Sequence, residues 1–301
     1  MEKDKISIIM SVYNETEEEL KKSIGSVLSQ TYSNFEYIIV CDNPLNKNIC
    51  SFLNGINDNR VRIIMNKRNM GLVWSLNYAL KFVSGEYIAR MDADDICINT
   101  RLYDELQYLI SHKCDIVGSY VDFIDENDLI ISKEIKNPTE HMQIKKFLKQ
   151  DPALVHPTWL AKKKVFTNLD GYRNIPYCED YDFLIRAVRN GFILGNVDKV
   201  LLKYRIRAKG ISKSNEVKQY VIHEYLAKKY NSKDYLSPEE IEMYLSSDKF
   251  KKKLNHRQSY IEKKNLLKNG SFYKKFQATI HTQIPPLLSS LKNQFVSYYA
   301  L

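Results

Sequence analysis

The 301-residue chain has only five cysteines, Cys41, Cys50, Cys97, Cys114 and Cys178, an odd number, widely scattered and without metal-ligand spacing. That excludes a disulfide scaffold and a structural zinc site, and is the usage expected of reduced thiols in cytoplasm. No apolar run approaches the roughly 18 residues needed to span a bilayer, and no signal peptide is expected at the start of the chain. Internal repeats and low-complexity segments are missing. So is the Gly-rich phosphate loop expected after the first strand of a nucleotidyltransferase; Ser11-Val12-Tyr13-Asn14-Glu15 stands there instead. Acids are almost absent from one region. Between Lys249 and Leu301 there are eleven Lys and Arg against a single acid, Glu262, a net +10, which leaves the remainder, 34 basic against 35 acidic residues, at −1.

What is present before that tail alternates strand and helix. Ile6 to Val12 is a continuous apolar run, as in a strand buried on both faces of a parallel sheet. Glu17 to Leu28 carries Leu20, Ile24, Val27 and Leu28 at helical spacing. Phe35 to Val40 and Val61 to Met65 read as the next strands. Leu72 to Val83 is predicted as a helix with Leu72, Leu76, Ala79, Leu80 and Val83 on one face and Gly85 ending it, and Tyr87 to Met91 as a fourth strand. Such alternation implies right-handed βαβ units and a mostly parallel sheet, whose ligands lie beyond the carboxyl ends of the strands. Three polar clusters fall at those ends: Tyr13-Asn14-Glu15, Asp42-Asn43 and Asp92-Ala93-Asp94-Asp95. The length holds one α/β domain of about 200 residues and an appendage, with the boundary expected near Lys213, giving 1–213 and a helical, basic 214–301.

The acidic cluster carries the chemistry. Crowded carboxylates repel, and each requires a cation or hydrogen-bond donors to be ordered. In an extended backbone Asp92 and Asp94 point the same way and can face one hard cation, Mg²⁺ or Mn²⁺, while Asp95 faces elsewhere. All three count as candidate metal residues. An ion held with open positions is suited to bridging nucleotide phosphates. The bland alternative is an acidic turn with a helix N-cap behind it. A calcium-binding EF-hand loop fails, because Ile96, Cys97 and Tyr103 occupy positions that require a ligand, Gly and Glu. A haloacid-dehalogenase phosphatase fails too, since its nucleophile follows the first strand and this cluster follows the fourth.

The motifs Ser7-Ile8-Ile9-Met10-Ser11-Val12-Tyr13-Asn14-Glu15, Ser26-Val27-Leu28-Ser29-Gln30-Thr31-Tyr32, Asn69-Met70-Gly71-Leu72, Ala89-Arg90-Met91-Asp92-Ala93-Asp94-Asp95 and Cys178-Glu179-Asp180-Tyr181-Asp182 occur in order between about Ile6 and Ser212. Together they resemble glycosyltransferase family 2, of the α/β, nucleotide-sugar-binding GT-A fold, with the likeness of its bacterial capsule and O-antigen members. The resemblance implies an inverting, metal-dependent transfer of a hexose from a UDP-sugar to a saccharide hydroxyl, on a lipid-diphosphate-linked acceptor at the cytoplasmic membrane face. A dTDP-sugar such as dTDP-rhamnose, or a non-catalytic binding protein of the same fold, remains an alternative.

By that resemblance the donor side comprises Ser11, Tyr13, Glu15, Asp42, Arg68 and Asp92. Asp42 would accept from the ring N–H of uracil or thymine, which cytosine lacks; an Asx-turn before Pro44 is the other reading. Tyr13 either lies against the base or closes the first strand as a buried aromatic. Cys41 and Ser11 depart from the family's usual Asp and Pro. Asp180 is the candidate base. Glu179, Asp180 and Asp182 precede a helix predicted over Tyr181 to Asn190, whose dipole favours the ionised form; a plain helix cap is the alternative. His156, Glu179, Arg205 and Arg207 are candidate acceptor or diphosphate contacts. His156 is alternatively structural and the arginines solvated strand-end residues, with Arg207 standing where many relatives carry a His. Arg68 and Arg90 are similarly ambiguous.

The tail interleaves its Lys with Phe250, Tyr260, Phe272, Tyr273, Phe276, Phe295, Tyr298 and Tyr299. Lying on anionic lipid is one reading, each Lys contributing about 1 kcal/mol. Packing on the catalytic domain is the second. Nucleic acid ranks third, since no DNA- or RNA-binding motif accompanies the charge.

Overall fold

Strand β1 (Ile6–Val12) is buried along almost its whole length, because it lies between β2 (Phe35–Cys41) and β4 (Tyr87–Asp92), both parallel to it. This computed structural model describes residues 4–132, 136–207, 215–232 and 237–269. Helix α1 (Glu17–Leu28) starts at a reciprocal capping box between Thr16 and Glu19 and buries Leu20, Ser23, Ile24 and Val27. After β2 and α2 (Lys47–Asn54), β3 (Val61–Met65) pairs in parallel with β2. Helix α3 (Leu72–Leu80) then leads to β4. It ends three residues before the predicted Val83.

The second half completes a nine-stranded mixed sheet in the order β3-β2-β1-β4-β8-β6-β9-β5, with β7 on the edge of β6. Its strands are β5 (Ile96–Cys97), β6 (Ile116–Ile124), β7 (Ile130–Ser132), β8 (Leu160–Lys162) and β9 (Leu194–Arg205). β8 runs antiparallel to both β4 and β6, whereas β6 and β9 are parallel. Helices α4 (Arg101–Ser111), α5 (His141–Phe147), α6 (Lys163–Asn168) and α7 (Glu179–Arg189) cover the faces. The core forms two buried clusters, one containing Ile9, Leu76, Trp159 and Phe183, the other Ile8, Leu20, Met91 and Leu106.

The sequence boundary expected near Lys213 lies outside the described residues. Beyond it, α8 (Glu216–Asn231), α9 (Pro238–Ser246) and α10 (Asp248–Asn269) follow. Val221, Ile222, Leu226, Ile241, Tyr244 and Phe250 from these helices join the same buried cluster as α7 residues Phe183 and Leu184. The helical region therefore shares the core of the α/β unit. Of the basic tail, Phe250 packs into this core, as the second reading expects, while residues 270–301 lie outside the described residues. Among the described residues, no helix is long and apolar enough to cross a membrane.

Candidate active site

The acidic turn is locked in place by α1. Ser23 Oγ donates to the Asp92 carbonyl at 3.0 Å, Ser26 Oγ accepts from Cys97 N–H, and the Gln30 amide donates to Ile98 O while accepting from Leu102 N–H. That is the physical content of the Ser26 to Tyr32 motif. β4 ends at Asp92, and Asp94 sits in the turn that follows. The expected extended backbone across both does not exist, and the turn brings the two carboxylates together instead.

Asp94 is crowded. Burial, Asp92 and Glu15 push its carboxyl up to about 7, with Arg207 opposing them. Arg207 Nε stands 2.9 Å from Asp94 Oδ2 and its Nη2 3.1 Å from Glu19 Oε1. These are ion-pair distances without hydrogen-bond geometry. Burial also raises the Glu15 carboxyl, although Tyr13 N–H donates to it at 2.7 Å. Asp95 is turned inward and only 1% exposed: Oδ1 accepts from Arg205 N–H at 2.8 Å while Oδ2 is buried.

Arg205 is neither solvated nor facing the site. It is buried, donates to Asp94 O and Asp125 O and pairs with Asp128, so it clamps the acidic turn to the β6–β7 hairpin. Three of its five guanidinium N–H groups are committed in this way. Asp42 forms no Asx-turn. Its carboxylate accepts from Asn66 Nδ2, Met70 N–H and Gly71 N–H at 2.6, 2.7 and 2.8 Å, holding the Asn69-Met70-Gly71 loop against β2. Gly71 adopts φ +89°, which explains the glycine there. Tyr13 does not close the strand as a buried ring; it is 38% exposed at the mouth of the site. Ser11 lies opposite Asp92 in register, and Arg68 is exposed on the loop after β3.

Buried Arg90, which sequence reasoning left ambiguous, forms the floor of the site. It is 1% exposed and paired with Asp92, its Nε and Nη1 making no hydrogen bond of good geometry. Burial works against its charge, and Asp92, Tyr172 and Asp95 together outweigh that. Its field also reaches Glu179 and Asp180 on α7. The helix begins at Glu179, so Glu179, Asp180 and Asp182 occupy its first turn rather than preceding it. Asp182 is spent on Arg186 and Arg173. Glu179 and Asp180 are half-buried. Burial raises both carboxyls, and for Glu179 the charge of Asp180 adds to it. Asp180 Oδ1 accepts from Tyr181 N–H at 2.7 Å, and His223 of α8 acts on it electrostatically. His156 is buried, with Nε2 2.9 Å from the Tyr172 hydroxyl; burial and then Arg90 push its pKa well below the usual value, so it stays neutral. It supports the site from beneath.

The family model of glycosyl transferase family 2 matches residues 7–170, more than half of the chain. The chain belongs to glycosyltransferase family 2. The O-antigen biosynthesis glycosyltransferase WbnJ of Escherichia coli is 35% identical over 234 residues, covering 75% of this chain and 91% of WbnJ. A UDP-Glc:α-D-GlcNAc-diphosphoundecaprenol β-1,3-glucosyltransferase of E. coli, WfaP, is 29% identical over 220 residues, 72% of this chain and 82% of WfaP. Among solved structures, S. aureus TarS 1–349 in complex with UDP-GlcNAc has a TM-score of 0.60 at 17% identity, covering 90% of this chain and 77% of that one. A mannosyltransferase from Pyrobaculum calidifontis in complex with GDP-Man and Mn²⁺ gives 0.60 at 14%, covering 98% and 83%. The fold is thus GT-A-like and the protein a glycosyltransferase.

Among the described residues of this family 2 enzyme, no group of three or more His, Cys, Asp or Glu converges to hold a metal by itself. Yet Asp94 already takes a positive charge, the Arg207 guanidinium, and its neighbours Asp92 and Glu15 offer only oxygen. That suits a hard divalent ion whose remaining ligands come from phosphate and water. Sequence reasoning left Arg90 ambiguous and missed Glu19 as a partner of Arg207, and His223. Arg90 left a signal: a charge in the run Tyr87-Ile88-Ala89 is buried only if paired, and Asp92 lies two residues on, on the same strand face. The first prediction follows from that pairing. Because Arg90 lowers the proton affinity of Glu179 and Asp180, Arg90→Gln should move the acid limb of the pH–rate profile upward by about one unit or more. Arg90→Lys should restore it, and an unmoved limb in the Gln variant would separate Arg90 from the carboxylates.

Proposed function

We propose that this glycosyltransferase moves a hexose from a UDP-sugar to a saccharide hydroxyl, with inversion, on a lipid-diphosphate-linked intermediate in bacterial surface polysaccharide synthesis. One observation carries the reading. Two carboxylate groups from distant parts of the chain, Asp92 at the end of β4 and Glu179 with Asp180 at the start of α7, face the same buried Arg90. The first group serves the donor and the second the acceptor. Asp180 takes the proton of the attacking hydroxyl, and burial, which raises its carboxyl above the ordinary aspartate value, makes it the stronger base. A single displacement opposite the leaving group inverts the anomeric carbon.

On the donor side, Asp94 with Asp92 beside it would hold Mn²⁺ or Mg²⁺, and the ion when bound would offset charge on the departing nucleotide diphosphate. Asp95 keeps the turn in shape from within. The exposed Tyr13 ring lies against the base, with Ser11, Glu15 and Asp42 lining the pocket and the Asp42 carboxylate, three of its bonds already made, taking the imide N–H of uracil. Arg68 and Arg207 are the cations left for the diphosphate. WfaP's UDP-Glc donor and lipid-diphosphate acceptor, and the UDP-GlcNAc held by TarS, support this choice. A dTDP-sugar presents the same imide. The enzyme would act in the cytoplasm, at the inner face of the membrane, the basic tail adding to its hold on anionic lipid.

A thermal-shift panel tests the donor assignment. With Mn²⁺, a UDP-hexose at about 100 times its Kd should stabilise the protein by about 2.7 kcal/mol, with CDP- and GDP-sugars giving far less. Equal shifts from all bases would remove the role given to Asp42. A second measurement concerns Arg207, which occupies the place of a cation beside Asp94. Arg207→Gln should tighten binding of Mn²⁺ alone while weakening UDP, and weaker Mn²⁺ binding would show that the guanidinium supports the site rather than competing for it.

A further inference from the structure

One face of α3 carries aromatic rings set among cations, with Trp74 exposed and Tyr78 and Phe82 half-buried. Trp74, Tyr78 and Phe82 follow one another at four-residue spacing, so they stack along one side of the helix and the turn after it. Trp74 and Tyr78 lie 4.7 Å apart between ring centroids at 30°, and Tyr78 and Phe82 5.2 Å apart at 86°. Trp74 is 40% exposed and Met65, on the neighbouring edge strand β3, 38%. Four cations belong to the same segment: Arg62, Lys67, Arg68 and Lys81, all exposed. Between Val61 and Gly85 there is no Asp or Glu. Two of the cations lie along the rings, Arg62 with its guanidinium carbon 4.2 Å from the Phe82 centroid and Lys81 with Nζ 5.8 Å from that of Tyr78. Nearby acids are already engaged, Asp58 by Arg60 and Glu36 by Ser7 and Ser84.

We infer that this face of α3 lies on an anionic lipid bilayer. Trp and Tyr are the side chains that settle at a membrane–water boundary, with one apolar and one wet end. Cations whose stems run along apolar surface can raise their charged ends to phosphate headgroups. A protein partner would also meet aromatic and Arg side chains, but a segment with four exposed cations and no acid of its own, beside Asp58 and Glu36 that are already paired, is complementary to a uniformly negative plane. Position agrees with this. Trp74 lies in the first turn of α3, next to the Met70–Gly71 loop that Asp42 holds at the carboxyl end of β2. Contact along α3 therefore places the mouth of the site beside the bilayer, where the lipid-linked acceptor of the proposed function would be presented. This last step rests on that proposal; the contact itself does not.

The chain has two tryptophans, Trp74 and the fully buried Trp159, which makes the contact directly readable. The full-length protein, without nucleotide or metal, is mixed with vesicles of phosphatidylglycerol and phosphatidylcholine carrying brominated acyl chains. Emission should shift to the blue and be quenched, and Trp74→Phe should lose both changes, leaving the constant signal of Trp159. Lys67→Gln combined with Lys81→Gln should lower vesicle affinity about 30-fold, at about fivefold for each charge near the surface. Four outcomes overturn the inference: no vesicle binding, bound protein whose Trp74 emission ignores bromine, a Trp74→Ser, Tyr78→Ser variant that binds as the parent does, or a dimer in solution abolished by that same variant. Binding through the basic tail alone would give the second of these. Since no sugar nucleotide is present, failure here leaves the transferase reading standing, and loss of transfer in a catalytic variant leaves the membrane contact standing.

Discussion

Replacing Asp180 by Asn is expected to lower transfer by about 10²- to 10⁴-fold, the usual range for a general base, while affinity for the UDP-sugar stays that of the parent. The amide keeps the shape of the carboxylate, and its oxygen can still accept from Tyr181 N–H, so the start of α7 has no reason to rearrange. It cannot take a proton. The parent's pH profile should carry the same signature. Burial raises the Asp180 carboxyl above the ordinary aspartate value, so transfer should fall as pH drops through that raised value, and the residual rate of Asp180→Asn should lack this limb. Single-turnover rates between pH 5 and 9 check both points. Transfer by the variant at near the parental rate would assign the proton to Glu179 or to another group.

Asp94→Asn should abolish Mn²⁺-dependent stabilisation by UDP without harming the empty protein. The Asp94 carboxyl stands at about 7 in the folded state against 3.8 ordinarily. Between those values the folded state keeps a proton that the unfolded state has lost, so this group's contribution to stability falls as pH rises across the window. At pH 8 it is charged in both states and its repulsion from Asp92 and Glu15 is fully present. An amide removes that repulsion and also the pair with Arg207, which retains Glu19. The variant should therefore melt no lower than the parent at pH 8, with any advantage gone by pH 4. Melting curves in the presence and absence of Mn²⁺ and UDP decide it. UDP binding that remains metal-dependent in the variant would move the ion to other residues.

The first half of the sheet was legible in the sequence because each of its signals is local. The apolar run Ile6 to Val12 and the helix Glu17 to Leu28 have the predicted bounds, the latter fixed by its Thr16–Glu19 capping box. The strands at Phe35 and Tyr87 each run one residue further than predicted, since their pairing with β1 continues through Cys41 and Asp92. Helix α3 stops short because apolar spacing continues into Lys81, Phe82 and Val83 after the helical hydrogen bonds have ceased. The mixed order β8-β6-β9-β5 was not legible, as β5 and β8 are very short and all of its pairings join strands distant in sequence. The site divides in the same way. The sequence places Asp92, Asp94, Glu179 and Asp180, each in a dense acidic motif. It does not reveal that Arg205 is consumed by Asp95, Asp125 and Asp128, nor that Asp42 is held by a loop nearly thirty residues on, because those partners come from other elements. His223 was invisible for a further reason: it lies on α8, past the point where the family motifs end, and reaches the site only because that helix packs on α7.

The central claim is that Asp92 and Asp94 present a nucleotide-sugar to an acceptor whose proton Asp180 removes, in one inverting step. Proton NMR of the anomeric signals tests it most directly, using full-length protein, Mn²⁺, the UDP-α-hexose with the largest thermal shift, and a GlcNAc-diphosphate-lipid acceptor. The account predicts a β-linked product from the parent protein, and none above background from Asp180→Asn under the same conditions. An α-linked product, or equal β-linked product from the two proteins, would contradict it.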